Sequence, residues 1–291
     1  MDSITVKAPA KVNLFLKVLG KRKDSYHNIL TVFERISLAD TIKISKIPKG
    51  IVVRSDKLIT RDVRDNLVYK AAEEVLKRGK VLSGVKIEIK KRIPVSSGLG
   101  GGSSDAASTI IGVNRLFGLR LESKALFNMG RRLGADVPFF LLDTPLAIGR
   151  GRGDVLEAVR SRNRLWHLII KAGNKTSTKD IYRAFDRMSK HLTPRMESAK
   201  IRIPSKLWLD YARAESILHN DLERVALLKK GAISRISKSL AQLLCKRMII
   251  SGSGPSLFCL YRTRREAIKA KDLVFRSVSA RSRTGWQIFV A

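Results

Sequence analysis

The sequence predicts an α+β protein of two domains, because segments with strand periodicity and segments with helical periodicity alternate along its 291 residues. That length can bury a substantial core and suits two domains of ordinary size. The apolar share of 44% is that of a soluble globular protein. The pattern breaks in the glycine- and arginine-rich stretch 149–154, so we predict domains over residues 1–155 and 156–291.

The first half begins with strands. Between residues 4 and 18 valines and leucines occupy one face, and Lys11 and Asn13 share the other. The following elements are predicted as a turn over 20–25, strands over 26–36 and 41–47, and a helix over 66–78.

A strand, a glycine-rich loop and a helix come next. Apolar and charged residues alternate over 85–89, and helical spacing resumes after the loop, with an N-cap at Ser103 or Ser104 and a stop at Gly118. The loop reads PVSSGLGGGSSDAAS, and its glycines let backbone N–H groups face an anion. Because a helix N-terminus adds its positive dipole end, the segment predicts a phosphate site rather than an ordinary turn. It matches neither GxxxxGK[ST] nor GxGxxG.

The remaining elements follow in the same way. A short helix is predicted with Asp136 as its cap and Pro138 in its first turn, and taken alone Asp136 has only that structural role. The other predicted elements are helices over 122–133, 179–188, 206–218, 221–230, 234–244 and 264–273, and apolar or strand segments over 165–170, 248–250, 256–261 and 286–290.

Charge and cysteine usage limit the class of protein. The formal net charge of +33 is spread along the chain and the aromatic share is only 6%, which favours a basic surface that attracts small polyanions; nucleic acid is not the expected partner. No apolar run reaches the roughly 18 residues of a membrane span, and no signal peptide is predicted. Cys245 and Cys259 lie in or beside apolar stretches, so they are predicted as buried free thiols in the cytoplasm.

Several motifs together resemble the GHMP kinase superfamily. The glycine loop from Pro94 to Ala107 resembles its ATP loop, and within the superfamily three further segments resemble members that act on a cytidine-diphosphate-linked methylerythritol: residues 8–14 (APAKVNL), 24–27 (DSYH) and 134–140 (GADVPFF). Residues 220–223 and 251–254 fall where those members have later motifs, so the resemblance covers nearly the whole chain. The chain departs from the family at Ser25, where glycine is usual, and in its basic balance.

This resemblance implies a fold and an activity. The fold would combine an N-terminal ribosomal-S5-domain-2-like domain, which binds ATP, with a C-terminal ferredoxin-like domain. The activity would be ATP-dependent phosphorylation of the 2-hydroxyl of the erythritol moiety in the non-mevalonate isoprenoid pathway, by a monomer or homodimer. Mg²⁺ would accompany ATP, with Ser104 as a candidate ligand. The implied ATP-binding residues are Pro94, Gly98, Leu99, Gly100, Gly101, Gly102, Ser103 and Ser104.

The resemblance also implies roles for single side chains. Asp136 would take or orient the hydroxyl proton, and Lys11, otherwise a surface lysine, would stabilise the reacting centre. Tyr26 and His27 would read cytosine, the alternative being a buried tyrosine beside a structural histidine. The further substrate contacts implied are Asn13, Thr178 and Tyr182.

Two other functions stay open from the sequence. Another GHMP kinase, of the homoserine or mevalonate type, would share the loop but would have no reason to keep Tyr26 and His27. A basic nucleic-acid-binding protein would use the surface charge instead.

Overall fold

The computed structural model describes residues 1–161, 163–173, 177–189, 208–229, 231–279 and 283–291. Over these ranges the chain forms a seven-stranded sheet, a four-stranded sheet and a two-stranded sheet, with helices packed against them. The fold is α+β, as the sequence predicts.

The first sheet is built on a long antiparallel pair, β1 (Ser3–Lys21) and β2 (His27–Ile47). The strands predicted over 26–36 and 41–47 are one strand, so the predicted break between them is wrong. Register shifts in β1 after Pro9, Asn13 and Val18 increase the twist of this pair. Strand β2 also pairs with two shorter strands, one over residues 31–34 and the other over residues 41–47.

Five shorter strands complete this sheet. They are β3 (Ile51–Ser55), β4 (Gly84–Lys90), β5 (Leu146–Arg150), β6 (Val155–Ala158) and β10 (His219–Asn220), in the order β10-β1-β2-β4-β3 with β5 and β6 attached through β2. The glycine- and arginine-rich stretch 149–154 contains the turn between β5 and β6. The domain boundary at 155 stays a prediction.

Helices α1 (Leu67–Arg78), α2 (Gly101–Leu116), α3 (Ser123–Leu133) and α4 (Val137–Leu141) pack together, with α1 and α2 contributing to a core that includes the strand residues Ile42, Ile44 and Ile87. The predicted N-cap at Ser103 or Ser104 is wrong, because α2 begins at Gly101. Its N-cap is Gly100, which has a left-handed φ of 71° and no side chain with which to cap. Asp105 consequently lies beyond the first turn.

The second half centres on β8 (Trp166–Lys171). Its sheet has the antiparallel order β11 (Ile249–Ile250), β12 (Ser256–Tyr261), β8 and β13 (Gln287–Val290), and the small pair is β7 (Arg160–Ser161) with β9 (Trp208–Leu209). The helices are α5 (Thr178–Ser189), α6 (Tyr211–Ile217), α7 (Glu223–Lys229), α8 (Gly231–Leu244) and α9 (Arg264–Ser277).

The helix predicted over 206–218 is wrong at its start. Asp210 accepts a hydrogen bond from the backbone N–H of Arg213 at 2.9 Å and so caps a helix that begins only at Tyr211. Residues 206, 207, 230 and part of the loop 173–179 lie outside the described residues.

A shared core joins the two halves, with Phe15 and Val32 from the first sheet packed in one cluster with Ile169 and Phe258 from the second. Cys259 is buried as predicted, but Cys245 is exposed because it follows the end of α8, so that part of the prediction is wrong. None of the described helices has the length and apolar character required to cross a membrane.

Candidate active site

A cleft of about 960 Å³ lies between the glycine loop, the middle and end of β1, the start of β2, and α5. Both halves of the chain contribute to it. The predicted site residues that line it are Lys11, Asn13, Tyr26, His27, Pro94, Gly98, Gly100, Gly101, Gly102, Ser103, Asp136, Thr178 and Tyr182.

The glycine loop has a shape that side chains would prevent. Gly98 and Gly100 have φ values of 83° and 71°, in the left-handed region that favours glycine. A Cβ at Gly98 would lie 2.5 Å from the carbonyl oxygen of Ser251, and one at Gly100 would lie 2.9 Å from Cγ of Lys11. Since α2 begins at Gly101, its first intrahelical hydrogen bond is the one that the N–H of Ser104 donates to the carbonyl oxygen of Gly100 at 2.9 Å, and the N–H groups of Gly101, Gly102 and Ser103 precede it. The loop therefore has the backbone shape and the N–H groups that an anion site requires.

Adjacent glycines of this loop face different surroundings. A Cβ at Gly101 would lie 3.0 Å from Cγ2 of Ile93 and 3.4 Å from Nζ of Lys91, beneath the loop. At Gly102 the nearest atom to a Cβ would be Cδ1 of Leu67, at 4.0 Å. A substitution at Gly102 thus enters the cleft, whereas one at Gly101 first meets the packing below it.

Two predicted ATP-binding residues lie in the interior instead. Leu99 is buried, and its carbonyl oxygen accepts the backbone N–H of Lys11 at 3.0 Å. Ser104 is fully buried, and its hydroxyl has no hydrogen-bond partner among the described residues. Ser104 is therefore not among the residues that line the cleft, whereas its neighbour Ser103 is.

Lys11 and Asp136 face each other beside the glycine loop, with 3.5 Å between Nζ and Oδ2. The Lys11 side chain is only 5% exposed, so the surface-lysine reading is wrong. Its ammonium donates to Oδ1 of Asn13 at 2.6 Å, and Nδ2 of Asn13 donates to the Thr31 hydroxyl at 2.8 Å. These bonds fix the ammonium in place.

Asp136 does not cap its helix. It occupies the position before α4, but its carboxylate makes no hydrogen bond to the backbone N–H groups of that helix. The side chain is 35% exposed and is directed towards Lys11. The reading of Asp136 as a cap alone is therefore wrong, and its carboxylate is available to a ligand.

The other end of the cleft holds aromatic side chains. Tyr26 is 52% exposed, and His27 is buried with its ring stacked on Tyr182 at 4.7 Å between centroids. Nε2 of His27 lies 2.6 Å from Oδ1 of Asp186, a residue that sequence reasoning missed. The available signal was spacing, because Asp186 follows Tyr182 by four residues and so shares its face of α5. Burial raises the pKa of the Tyr182 hydroxyl, and the carboxylates of Asp136 and Asp221 raise it further.

In the turn before Tyr26, Ser25 has a backbone conformation that is unusual for serine. Its φ is 68°, a left-handed conformation that glycine adopts freely and serine rarely does. The position where the resembled family has glycine is thus one where the backbone favours glycine. This chain keeps the conformation with a serine.

A second loop, residues 251–254, supports the first. Nδ2 of Asn220 donates to the carbonyl oxygens of Ile250 and Gly252, each at 2.8 Å. The Ser251 hydroxyl donates to the carbonyl oxygen of Gly98 at 3.1 Å. Asn220, at the start of the NDLE motif, therefore holds this loop against the glycine loop. Thr178 also contacts it, with 3.0 Å between its hydroxyl and that of Ser253.

A buried charge cluster lies beneath the glycine loop, and sequence reasoning missed it. The Lys91 ammonium bonds to the carboxylates of Asp40 and Asp105, and all three side chains are at most 3% exposed. Burial raises the pKa of Asp105 to about 7; Lys91 opposes this shift and Asp40 adds to it. For Lys91, burial lowers the pKa, but the two carboxylates outweigh it and the net shift is upward.

Among the described residues, few side chains in the cleft could bind a metal ion. Within the described ranges no group of three or more His, Cys, Asp and Glu side chains could hold a metal ion. Mg²⁺ commonly takes one or two protein ligands together with substrate phosphates and water. The cleft offers the carboxylate of Asp136 and the hydroxyl of Ser103 beside the glycine loop, which fits that kind of site.

The fold and the segment that contains the glycine loop indicate a class of protein. Residues 66–144, which include α1, α2 and the glycine loop, match the family described as GHMP kinases N terminal domain. The solved structure of homoserine kinase from Cytophaga hutchinsonii shares the fold, with a TM-score of 0.74 at 20% identity, covering 100% of this chain and 95% of that one. The class is that of GHMP-type kinases.

Proteins of similar sequence identify one family within the GHMP-type kinases. A 4-diphosphocytidyl-2-C-methyl-D-erythritol kinase of Syntrophus aciditrophicus (strain SB) is 35% identical over 271 residues, 93% of this chain and 94% of that protein. One from Moorella thermoacetica is 39% identical, covering 89% and 90%. A crystal structure of 4-(cytidine 5'-diphospho)-2C-methyl-D-erythritol kinase has a TM-score of 0.75 at 29% identity, covering 99% and 98%. The chain belongs to the 4-diphosphocytidyl-2-C-methyl-D-erythritol kinase family.

Proposed function

We propose that this chain transfers the γ-phosphoryl group of ATP to the 2-hydroxyl of 4-diphosphocytidyl-2-C-methyl-D-erythritol in the non-mevalonate isoprenoid pathway. The observation that carries the proposal is the position of the Lys11 and Asp136 pair. Both side chains line the cleft beside the glycine loop, and the aromatic side chains of Tyr26, His27 and Tyr182 line the same cleft. A nucleotide at each end would bring the two reacting groups together at this pair.

In the proposed reaction each group has one step. Asp136 orients the acceptor hydroxyl and takes its proton as the oxygen attacks phosphorus. The bond from phosphorus to the bridging oxygen of ADP breaks as the new bond forms. Lys11, fixed by Asn13, neutralises charge on the transferring group, and the N–H groups at the start of α2 bind the phosphates. Ile59, Leu67 and Pro94 supply an apolar side to the cleft for the ATP base.

Mg²⁺ is proposed as the cofactor of this reaction. When bound with ATP it would neutralise phosphate charge, and the hydroxyl of Ser103 beside the glycine loop is the side-chain group that would hold it. Lys11 remains the fixed cation of the site.

Other properties are proposed on the same basis. The enzyme acts in the cytoplasm on small molecules, as a monomer or homodimer, with ATP-binding and C-terminal domains over residues 1–155 and 156–291. Two free cysteines support a reducing compartment.

The rival functions predict different measurements. Release of ADP is followed with 4-diphosphocytidyl-2-C-methyl-D-erythritol, homoserine or mevalonate as acceptor, and phosphorus NMR identifies the product. We expect turnover with the first acceptor only and a new phosphomonoester signal beside the unchanged diphosphate. Turnover with homoserine or mevalonate instead would overturn the proposal. Tight binding to an arbitrary DNA duplex, weakening steeply with salt, would favour the nucleic-acid alternative.

A further inference from the structure

The turn between β5 and β6 places an arginine in the cleft. Gly151 and Gly153 have φ values of 66° and 98°, and a Cβ at Gly153 would lie 3.3 Å from Cδ1 of Ile29. The backbone N–H of Ile29 donates to the carbonyl oxygen of Gly151 at 2.8 Å. Two glycines thus let the turn pack closely on β2, and Arg152 between them lines the cleft.

Arg152 is held in one orientation. Its Nη2 bonds to Oδ2 of Asp154 at 3.0 Å, and Oδ1 of the same carboxylate accepts the backbone N–H of Arg152 at 3.2 Å. Its Cζ lies 5.1 Å from the centroid of the Tyr26 ring. A guanidinium has five N–H donors in a planar fork, so the bond to Asp154 leaves donors for a second anion.

The positively charged side chains at this end of the cleft favour an anionic ligand. Lys21, Arg152, Lys179 and Arg183 line it around Tyr26 and His27. Three carboxylates, Asp154, Asp180 and Asp186, pair with Arg152, Arg183 and Lys21, so four cations face three carboxylates. Phosphates of ATP are accounted for by the glycine loop and Lys11. The excess positive charge beside Tyr26 therefore matches a second phosphate-bearing ligand.

Among these cations Arg152 is more buried than Lys21 and Arg183, and its guanidinium is already held by Asp154. Its side chain is 25% exposed, whereas those of Lys21 and Arg183 are 62% and 59% exposed. A side chain that is already fixed loses less entropy when it binds. Arginine also matches the geometry of a phosphate with two parallel hydrogen bonds.

We infer that Arg152 binds the diphosphate of the acceptor while it packs on Tyr26, the ring that stacks on the base. The inference rests on the proposed function. Under this inference residues 149–154 (GRGRGD) help to select an acceptor that carries phosphates. In the sequence pattern they are only a break between elements.

The test compares cytidine with cytidine diphosphate. Binding of each is measured by calorimetry to the parent, to Arg152→Met and to the control Arg150→Met, which changes an exposed arginine of the same hairpin outside the cleft. Arg152→Met should weaken cytidine diphosphate about tenfold to a hundredfold, the effect of losing hydrogen bonds to a charged group, and change cytidine less than about threefold. The control should match the parent with both ligands.

Kinetics give a second readout. Arg152→Met should raise KM for the acceptor with kcat and the KM for ATP nearly unchanged, and Arg152→Lys should recover part of the loss. Equal weakening of cytidine and cytidine diphosphate would show that Arg152 acts only through Tyr26, and no weakening of either would also overturn the inference. A parent that binds neither ligand would instead refute the proposed function, and the inference with it.

Discussion

At the scale of single residues, function depends on which way neighbouring positions face. Gly101 and Gly102 are adjacent in sequence and equivalent by pattern, so the sequence alone treats both as parts of one phosphate cradle. The structure separates them, because a side chain at Gly101 meets Ile93 and Lys91 and one at Gly102 meets the cleft. Orientation of this kind depends on where a helix begins, which propensity predicts only within a few residues.

The two glycines therefore predict different defects. Gly102→Val should weaken binding of a non-hydrolysable ATP analogue at least about tenfold, because its side chain occupies phosphate space, with a small loss of stability. Gly101→Val should chiefly lower the melting temperature, because its side chain overpacks against Ile93. Calorimetry and thermal unfolding of both variants check this. Equal ATP affinity in the parent and Gly102→Val would show that the phosphates bind elsewhere.

Tyr26 should affect one substrate only. Tyr26→Ala removes a ring that is 52% exposed, so the fold should tolerate the change. Loss of stacking is worth roughly 1–3 kcal/mol per base, which predicts an increase of about fivefold to a hundredfold in KM for the cytidine substrate. The KM for ATP should stay within about twofold, and Tyr26→Phe is the matched control because it keeps the ring. If both KM values rise together in Tyr26→Ala, the ring packs rather than reads a base.

At the scale of elements, local patterns predicted most helices and strands but not their partners. The alternation in β2 is visible in the sequence, yet its continuity over 21 residues depends on register shifts in β1 and on different neighbours, β5 and β4, along its length. The start of α6 was misplaced because residues 208–209 pair with β7, a contact about 48 positions away in sequence. Pairing across such distances leaves no local signal.

The charge cluster beneath the glycine loop joins three segments and predicts a pH effect. Asp105 on α2 has its pKa raised to about 7, above the ordinary value of 3.8 that it regains on unfolding. Between these values the folded state retains a proton that the unfolded state releases. This group's contribution to the free energy of unfolding therefore falls as pH rises from about 4 to 7 and levels off above that.

Asp105→Asn should remove that decline. The difference in free energy of unfolding, variant minus parent, should therefore rise between pH 5 and pH 8, meaning that the variant gains stability relative to the parent, as measured by urea denaturation at several pH values. Asp65→Asn, which changes an exposed carboxyl, serves as the control and should run parallel to the parent. A constant difference between Asp105→Asn and the parent across this range would contradict the raised pKa.

At the scale of the whole molecule, the cleft is assembled from distant parts of the chain. Motifs predicted Lys11, the glycine loop, Asp136 and the Tyr26–His27 pair, because each lies in a short distinctive segment. Asp186 and Arg152 were missed as site residues, because only folding brings α5 and the β5–β6 turn beside the start of β2. Asn220 was noticed as a motif, but its support of the 251–254 loop required the structure.

The central claim is that Lys11 and Asp136 form the reacting centre, and turnover of Asp136→Asn tests it most directly. The substitution keeps size and removes the proton acceptor, and no capping bond is lost. We predict a folded enzyme whose kcat falls by about 10²–10⁴, with both KM values little changed. Lys11→Met should also lower kcat, and the double variant should lose less than the product of the two effects. A kcat for folded Asp136→Asn within about threefold of the parent would contradict the claim.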